Sequence, residues 1–410
     1  MKLRRRLNSH AGHQRDVGCE VTGVYLQIYP SPLVNASRML KIAKSIHESG
    51  CFGETHLVGV KAAGLEAREH VAPGVSVVRL AGSGRRGNLG RALRAALWQP
   101  GVYLHYRREP LTVIAAHTVW VLPLCWVLSR RTGASLVYNA HELETETGTM
   151  TGFKQKAAKF IESRLVTKCS IVSVVNSSIA DWYEHEYPIH RPVVVGNVPE
   201  VRDATVHLRE RIGVRPDEML YVHTGNLVEG RNIPLILAAF SSSAHHVVFL
   251  GDGHLREAVL AECDSHSNIH WLPPVDHDLI VAHVREVDVG LCLIEHQRDL
   301  SDNLSSPNKL LESLAANTPP LCSDLVEARR LLGPLADKWI LSDPSTQLGA
   351  ALERISKADV EEFRTQWPGT TTWDDEIQPL VAAFSLLPVA NAPRSGPRLD
   401  NGENVASSQD

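Results

Sequence analysis

Residues 305–324, SSPNKLLESLAANTPPLCSD, hold the side chains best spaced for chemistry. Asn308, Lys309 and Glu312 fall at the start of a short amphipathic run in which Leu310, Leu311, Leu314 and Ala315 form the apolar face. Ser305 or Ser306 suits the N-cap, with Pro307 at the first helical position. Asn317 suits a left-handed end, and Pro319 and Pro320 forbid continuation before a strand from Leu321. A helix start offers free N–H groups and the positive end of its dipole to an anion. Lys309 adds a full charge there, and Glu312 can accept hydrogen bonds from ribose hydroxyls. The alternative is a solvated helix on which Lys309 and Glu312 pair at i, i+3 for about 0.3 kcal/mol.

Two further stretches have the same character. In YVHTGNLVEGRN, Arg231 stands at a helix entrance beyond the turn of Gly225 and Asn226, where it can meet a phosphate together with free N–H groups. In SLVYNAHELE, His141 and Glu142 follow a strand directly, which fixes the backbone and turns the ring to a crevice. With 20 histidines in the chain, His141 equally suits a surface or satisfied core residue on position alone. Asn35 and Arg38 stand near a helix start after the first strand, and a GDG at 251–253 ends another.

The elements that must position these groups alternate regularly. Strands are expected at 24–28, 55–60, 75–80, 102–106, 135–139, 171–175 and 193–195, with helices at 37–49, 89–98, 111–128, 154–164 and 178–186 between them. After a break at 197–200 the pattern restarts with strands at 220–224, 246–250, 269–272 and 287–294. This is the pattern of two doubly wound parallel sheets, with ligands beyond the C-terminal strand ends and a cleft between the domains. The expected division is a disordered leader at 1–20, an N-terminal domain at 21–198, a C-terminal domain at 199–371, a returning helix at 372–387 and a disordered tail at 388–410.

A chain of 410 residues with 43% hydrophobic and 21% charged residues is globular and long enough for two cores. A net charge of −4 excludes a general nucleic-acid signature. The seven cysteines lack metal spacing and do not suit a disulfide framework, pointing to a reducing, cytoplasmic setting. Asp276-His277-Asp278 has the form of a metal-binding Asp-x-Asp but sits where acids cap a helix. Residues 111–128 are about as long as a membrane span, yet His117 and Pro123 interrupt them, leaving a buried helix or one touching a membrane surface. Basic helices carrying Arg85, Arg86, Arg91 and Arg94, and Lys154, Lys156, Lys159 and Arg164, could rest on anionic lipid at the inner membrane face or be solvated.

In this order and spacing, SLVYNAHELETE, RPVVVGNVPE, YVHTGNLVEGRN, FLGDG and SPNKLLESLAANTPPLCSD resemble the family 4 glycosyltransferases of the GT-B fold, over about residues 22–386. The resemblance implies two Rossmann-like domains and a retaining, metal-independent transfer of sugar from a nucleoside diphosphate to a glycan, lipid-linked or polysaccharide-precursor acceptor, with no cofactor beyond that co-substrate. It implies catalytic roles for His141 and Glu312. Donor contacts are implied at Gly225, Asn226, Arg231, Gly251, Ser306, Asn308 and Glu312, and acceptor or cleft positions at Asn35, Arg38 and Glu142; Lys309 has no firm counterpart in the commonest family pattern, but its position suits the diphosphate of the donor. The sequence departs from the family pattern where a glutamate eight positions before the ribose-binding one is Leu304, and where an arginine after the turn glycine is Asn226. The rival assignments are a nucleotide-sugar epimerase on the same fold and a non-catalytic scaffold or partner subunit.

Overall fold

The computed structural model describes residues 23–34, 36–80, 88–295 and 299–387. The leader, the tail, Asn35, Arg85 and Arg86 therefore lie outside the described residues, as do the side chains of Arg91 and Arg94.

The first sheet is built from β1 (Val24–Ile28), β2 (Glu54–Val60), β3 (Arg68–Ala72), β4 (Val75–Leu80), β5 (Leu111–Ala116), β6 (Ser135–Ala140), β7 (Ile171–Val174) and β8 (Val193–Val194). Their order is β3-β4-β2-β1-β5-β6-β7-β8, and the β3–β4 pair is antiparallel while the others are parallel. The second sheet comprises β9 (Leu220–Thr224), β10 (His246–Leu250), β11 (Ile269–Leu272), β12 (Val289–Cys292), β13 (Pro320–Ser323) and β14 (Ile340–Leu341). It is parallel throughout, in the order β11-β10-β9-β12-β13-β14. Central strands such as β1, β9 and β12 are buried along their whole length, because helices cover both faces of each sheet.

Two sequence expectations in the first half are corrected. Residues 111–128 are not one helix: LTVIAA forms β5, and Pro123 lies in the first turn of a separate helix, Leu122–Thr132. The β-branched residues favour the strand, and proline marks the helix start where its missing N–H is harmless. Residues 102–106 are not a strand either, since they end the helix Asn88–Tyr106. Trp98, Val102 and Tyr106 recur at intervals of four and are all buried, which is a helical face. The strand β3 has no counterpart in the sequence reading because Arg68, Glu69 and His70 are exposed edge residues without an apolar pattern.

The chain passes from the first sheet to the second through residues 195–200 and returns in the helix Trp373–Ser385. Ile377, Leu380 and Phe384 of this helix join Tyr25, Ile42 and Phe52 in one apolar cluster under the first sheet. Around the crossover, Arg38 donates to the carbonyls of Val195 (2.7 Å) and Gly196 (3.1 Å), Lys41 to that of Val198 (2.7 Å), and the Gly196 N–H to Glu376 (2.5 Å). Three side chains from two helices thus fix the backbone at the junction.

Candidate functional site

The C-terminal ends of the two sheets face each other across a cleft of about 940 Å³. One wall comes from the segments after β1, β5 and β6 and carries His117, His141 and Glu142; the other carries Arg231, Asp302 and Ser305–Asn308. The walls touch at several points. Asn176 caps the helix Ser177–Glu186 through the Ile179 N–H and uses its amide to donate to the Leu304 carbonyl (2.8 Å) and to Ser306 Oγ (2.9 Å). Asn197 donates to Asn308 Oδ1 (2.8 Å), and Ser178 donates through both N–H and hydroxyl to the buried Glu327.

On the second wall, the helix Asn308–Ala315 packs Leu310 and Leu314 into the core. Pro307 is extended (ψ 140°) and takes the N-cap position itself, not the first helical position, and no side chain caps the helix. Ser306 is drawn to Asn176 instead of capping, which leaves the first N–H groups to other partners. Asn317 adopts the expected left-handed conformation at φ 56°. Glu312 is buried, 6% exposed, and accepts a hydrogen bond from Thr224 Oγ1 at 2.7 Å. Burial pushes its carboxyl up, opposed by the Thr224 bond and then by Lys309 and His277.

Lys309 reaches toward the β9 turn, its Nζ 3.5 Å from the point a Cβ on Gly225 would occupy. Gly225 is left-handed (φ 84°), and a Cβ on Gly251 would lie 1.9 Å from the Gly225 carbonyl, so both glycines allow the strand ends to close tightly beneath the lysine. Burial is the first cause that lowers the Lys309 pKa; Cys292 opposes it, and the neighbouring Arg231 lowers it further. Arg231 stands just before Asn232, the N-cap of the helix Ile233–Ser241, and lies 3.7 Å from Asp302. Lys309 lines neither this cleft nor the smaller cavity beside it, but lies by the β9 turn close enough to feel the charge of Arg231, which lines the cleft, and an anion held between them would relieve their repulsion.

On the first wall, His141 Nε2 is 2.8 Å from Nδ1 of His117. Burial, with Arg38 second, holds the His141 imidazole down at about 3. His141 is therefore neutral at physiological pH and suits hydrogen bonding, not proton donation. Glu142 lines the cleft, and its carboxyl, partly shielded from bulk water there, is raised first by that desolvation and then by Asp302 and Asp299 across the gap.

Residues 36–198 match the model of the glycosyl transferase 4-like domain family. No curated protein matches the sequence significantly. Among solved structures, sucrose-phosphate synthase from Thermosynechococcus elongatus is similar at 12% identity and a TM-score of 0.69, over 88% of this chain and 96% of that one. HepE of Anabaena, solved with UDP-glucose, is similar at 13% identity and 0.61, over 88% and 99%. WaaG, a glycosyltransferase involved in lipopolysaccharide biosynthesis, is similar at 15% identity and 0.58, over 90% and 100%. The chain has the GT-B fold, with a first half related to the glycosyl transferase 4-like family.

Within this GT-B cleft the site residues expected from the sequence do not all stand alike. His141, Glu142, Arg231, Ser306 and Asn308 line the main cavity. Glu312 lines a smaller adjoining cavity of about 50 Å³. Arg38 lines the main cavity but spends two guanidinium hydrogens on the interdomain crossover, and burial lowers its pKa to about 10 against the opposing charge of Glu376. Leu304, where the family pattern has a glutamate, packs on the apolar core of the first domain while its carbonyl takes the Asn176 hydrogen bond, so this position joins the two walls. Asn226 is exposed beside Gly225.

Three site residues escaped the sequence reading. His277 is exposed and lines both cavities, in a 3-10 turn where the sequence suggested only helix-capping acids or a metal pair. Its neighbour Asp278 pairs with Arg202 at 3.3 Å, and among the described residues no group of three or more His, Cys, Asp or Glu could hold a metal ion. His117 and the buried Gln27 behind it were the other two. A glutamine within VYLQI and a histidine directly after LTVIAA were the available signals, one polar inside a largely apolar strand and the other at the end of one.

Proposed function

We propose that the protein is a retaining glycosyltransferase that moves a sugar from a nucleoside diphosphate to a hydroxyl of a glycan, lipid-linked or polysaccharide-precursor acceptor. The observation that carries this is the meeting of His141 on one sheet with Arg231, Asn308 and Ser306 on the other around one cleft of about 940 Å³, with Lys309 and Glu312 on the same helix as Asn308. Glu312 and the Gly225–Asn226 turn hold the nucleoside side of the donor. Lys309, Arg231 and helix N–H groups neutralise the diphosphate as the bond between the anomeric carbon and the phosphate oxygen breaks. The acceptor oxygen then bonds to the same face of that carbon, and its proton passes to the departing phosphate oxygen. No side-chain base is required, which agrees with a neutral His141 that binds the sugar by hydrogen bonding. HepE was solved with UDP-glucose, which supports a nucleotide-sugar donor here.

A thermal-shift screen of UDP, GDP, ADP, TDP and CMP, with and without chelator, tests the donor site. One diphosphate at roughly 100 times its dissociation constant should stabilise the protein by about 2.7 kcal/mol, unchanged by chelator and lost in Glu312→Ala. No shift with any of them would favour the non-catalytic scaffold. An epimerase would convert a nucleotide sugar without releasing nucleoside diphosphate, whereas a transferase releases it in step with acceptor.

The first domain also carries an apolar and basic face that fits the surface of an anionic membrane. On the helix Gly152–Leu165, Phe153 is 86% and Phe160 61% exposed, interleaved with Lys154 and Lys156. The adjacent helix Leu122–Thr132 adds exposed Trp126 and Val127 with Arg130 and Arg131. Among the described residues no helix is long and apolar enough to cross a membrane, so the contact would be peripheral. Binding to phosphatidylglycerol vesicles should weaken at least tenfold in the double variant Lys154→Glu, Lys156→Glu and should fall with added salt, at about 1 kcal/mol per charge. Vesicle binding indifferent to both changes would remove the membrane from the proposal.

A further inference from the structure

Behind His141 runs a line of buried polar side chains that an apolar sheet interior does not need. Gln27 of β1 is fully buried, and its Oε1 lies 2.8 Å from Nε2 of His117, itself 3% exposed. His117 Nδ1 in turn lies 2.8 Å from Nε2 of His141. Asn139 of β6 approaches His117 Nε2 with its amide at 3.4 Å, while its Oδ1 accepts from Ser173 of β7 at 2.5 Å. The sheet register brings these residues to the same ends of adjacent strands, with Gln27 one step of the pleat before His117 and Asn139. Ala115 of β5 pairs with Gln27, Asn139 pairs with Ser173, and the His117 N–H donates to the Ile28 carbonyl at 3.2 Å. Strands β1, β5, β6 and β7 thus fix one ring, that of His117, and hold it against His141.

A neutral imidazole carries one N–H, so a bond at one nitrogen decides what the other can do. The Gln27 carbonyl oxygen only accepts. At 2.8 Å it is much nearer than the Asn139 amide, a donor at 3.4 Å, so the shorter bond sets the proton: His117 bears it on Nε2 and offers a lone pair at Nδ1. His141 must then donate from Nε2, which leaves its Nδ1 with a lone pair on a ring that lines the cleft. We propose that His117, backed by Gln27, is a positioning residue that holds His141 in the Nε2–H tautomer, so that the cleft presents an acceptor nitrogen matched to a hydroxyl of the transferred sugar. The sugar clause rests on the transferase reading; the tautomer clause does not. The pairing selects donors that keep a free hydroxyl at that place, because a deoxy sugar would leave the nitrogen without its partner.

The test is nitrogen–proton correlation spectroscopy on the full chain with nitrogen-15-labelled histidine, with His141 assigned by the loss of its signals in His141→Asn. In the wild-type protein His141 should show a protonated Nε2 and a bare Nδ1 at neutral pH. His117→Phe, which removes the accepting nitrogen, should give the mixed tautomer signature. His117→Asn, whose Oδ1 can accept in place of Nδ1, should restore the single form. With a nucleotide sugar identified by turnover, His117→Phe should lower kcat/KM about tenfold and His117→Asn should recover most of it. A bare Nε2 on His141 in the wild-type protein would overturn the proposal, and so would a tautomer or a kcat/KM unmoved by His117→Phe. The wild-type spectrum decides even if His117→Phe does not fold. The expected tautomer in a protein that turns over no sugar would leave the positioning intact and sink the transferase reading alone.

Discussion

Lys309→Met is expected to lower kcat/KM by ~10²–10³ while leaving stability unchanged or slightly higher. The ammonium is largely withdrawn from water, lies close to Gly225 in the turn after β9, and has Arg231 as a neighbouring cation. Glu312, on the same helix, offsets only part of the cost of holding it charged there, and a departing diphosphate supplies the rest as its negative charge grows. Methionine keeps the aliphatic length and removes the charge, so a change confined to activity separates catalysis from packing. The pH dependence gives an independent check. The shift of Lys309 is downward, so the free enzyme loses this charge at a lower pH than an ordinary lysine would. The alkaline fall in kcat/KM should therefore begin below the usual lysine range, and Lys309→Met should abolish that limb. Activity within threefold of wild type, or an unaltered alkaline limb, would remove Lys309 from the donor site.

The GT-B architecture was legible because buried parallel strands announce themselves as short β-branched runs such as VYLQI, LVYNA and HVVFL, each followed by a turn and an amphipathic helix. Legibility failed where one apolar run served two elements. Within residues 111–128 only the position of Pro123 marks the helix start, and hydropathy alone joins strand to helix. The candidate site divided in the same manner. Arg231, Lys309 and Glu312 sit before or within short helices that local rules identify, whereas Gln27 and Asn139 come from two strands and His117 from just beyond a third, and they acquire their joint meaning only from sheet register. Leu304 is the opposite case. It looked like a defect in a motif, but once the walls are placed together its side chain completes the first domain's apolar core and its carbonyl joins the Asn176 bridge.

Glu162→Ala should cost about 3–5 kcal/mol of unfolding free energy in urea denaturation, the largest loss expected of any single polar residue in the first domain. In sequence Glu162 belongs to a basic amphipathic helix and looks solvated, yet it is wholly buried. Its two oxygens accept from four hydroxyls: Tyr138 (3.0 Å) and Tyr183 (2.6 Å) on one, Tyr187 (2.8 Å) and Thr145 (3.3 Å) on the other. Burial first and then the Glu162 charge push the Tyr138 and Tyr183 phenols well up, so they stay protonated donors. Alanine would strand these hydroxyls around a cavity. Glutamine keeps one accepting oxygen and gains an amide that can donate to a phenol oxygen, so Glu162→Gln should lose less than half as much. The effect should also reach the cleft, because Thr145 lies in the turn directly after His141 and Glu142, and Glu144 of the same turn accepts the Val119 N–H at 2.7 Å. Weaker donor binding in Glu162→Gln, with the fold retained, is therefore expected in calorimetry. A stability loss below about 1 kcal/mol in Glu162→Ala would show that the hydroxyls find other partners and that this cluster does not hold the turn.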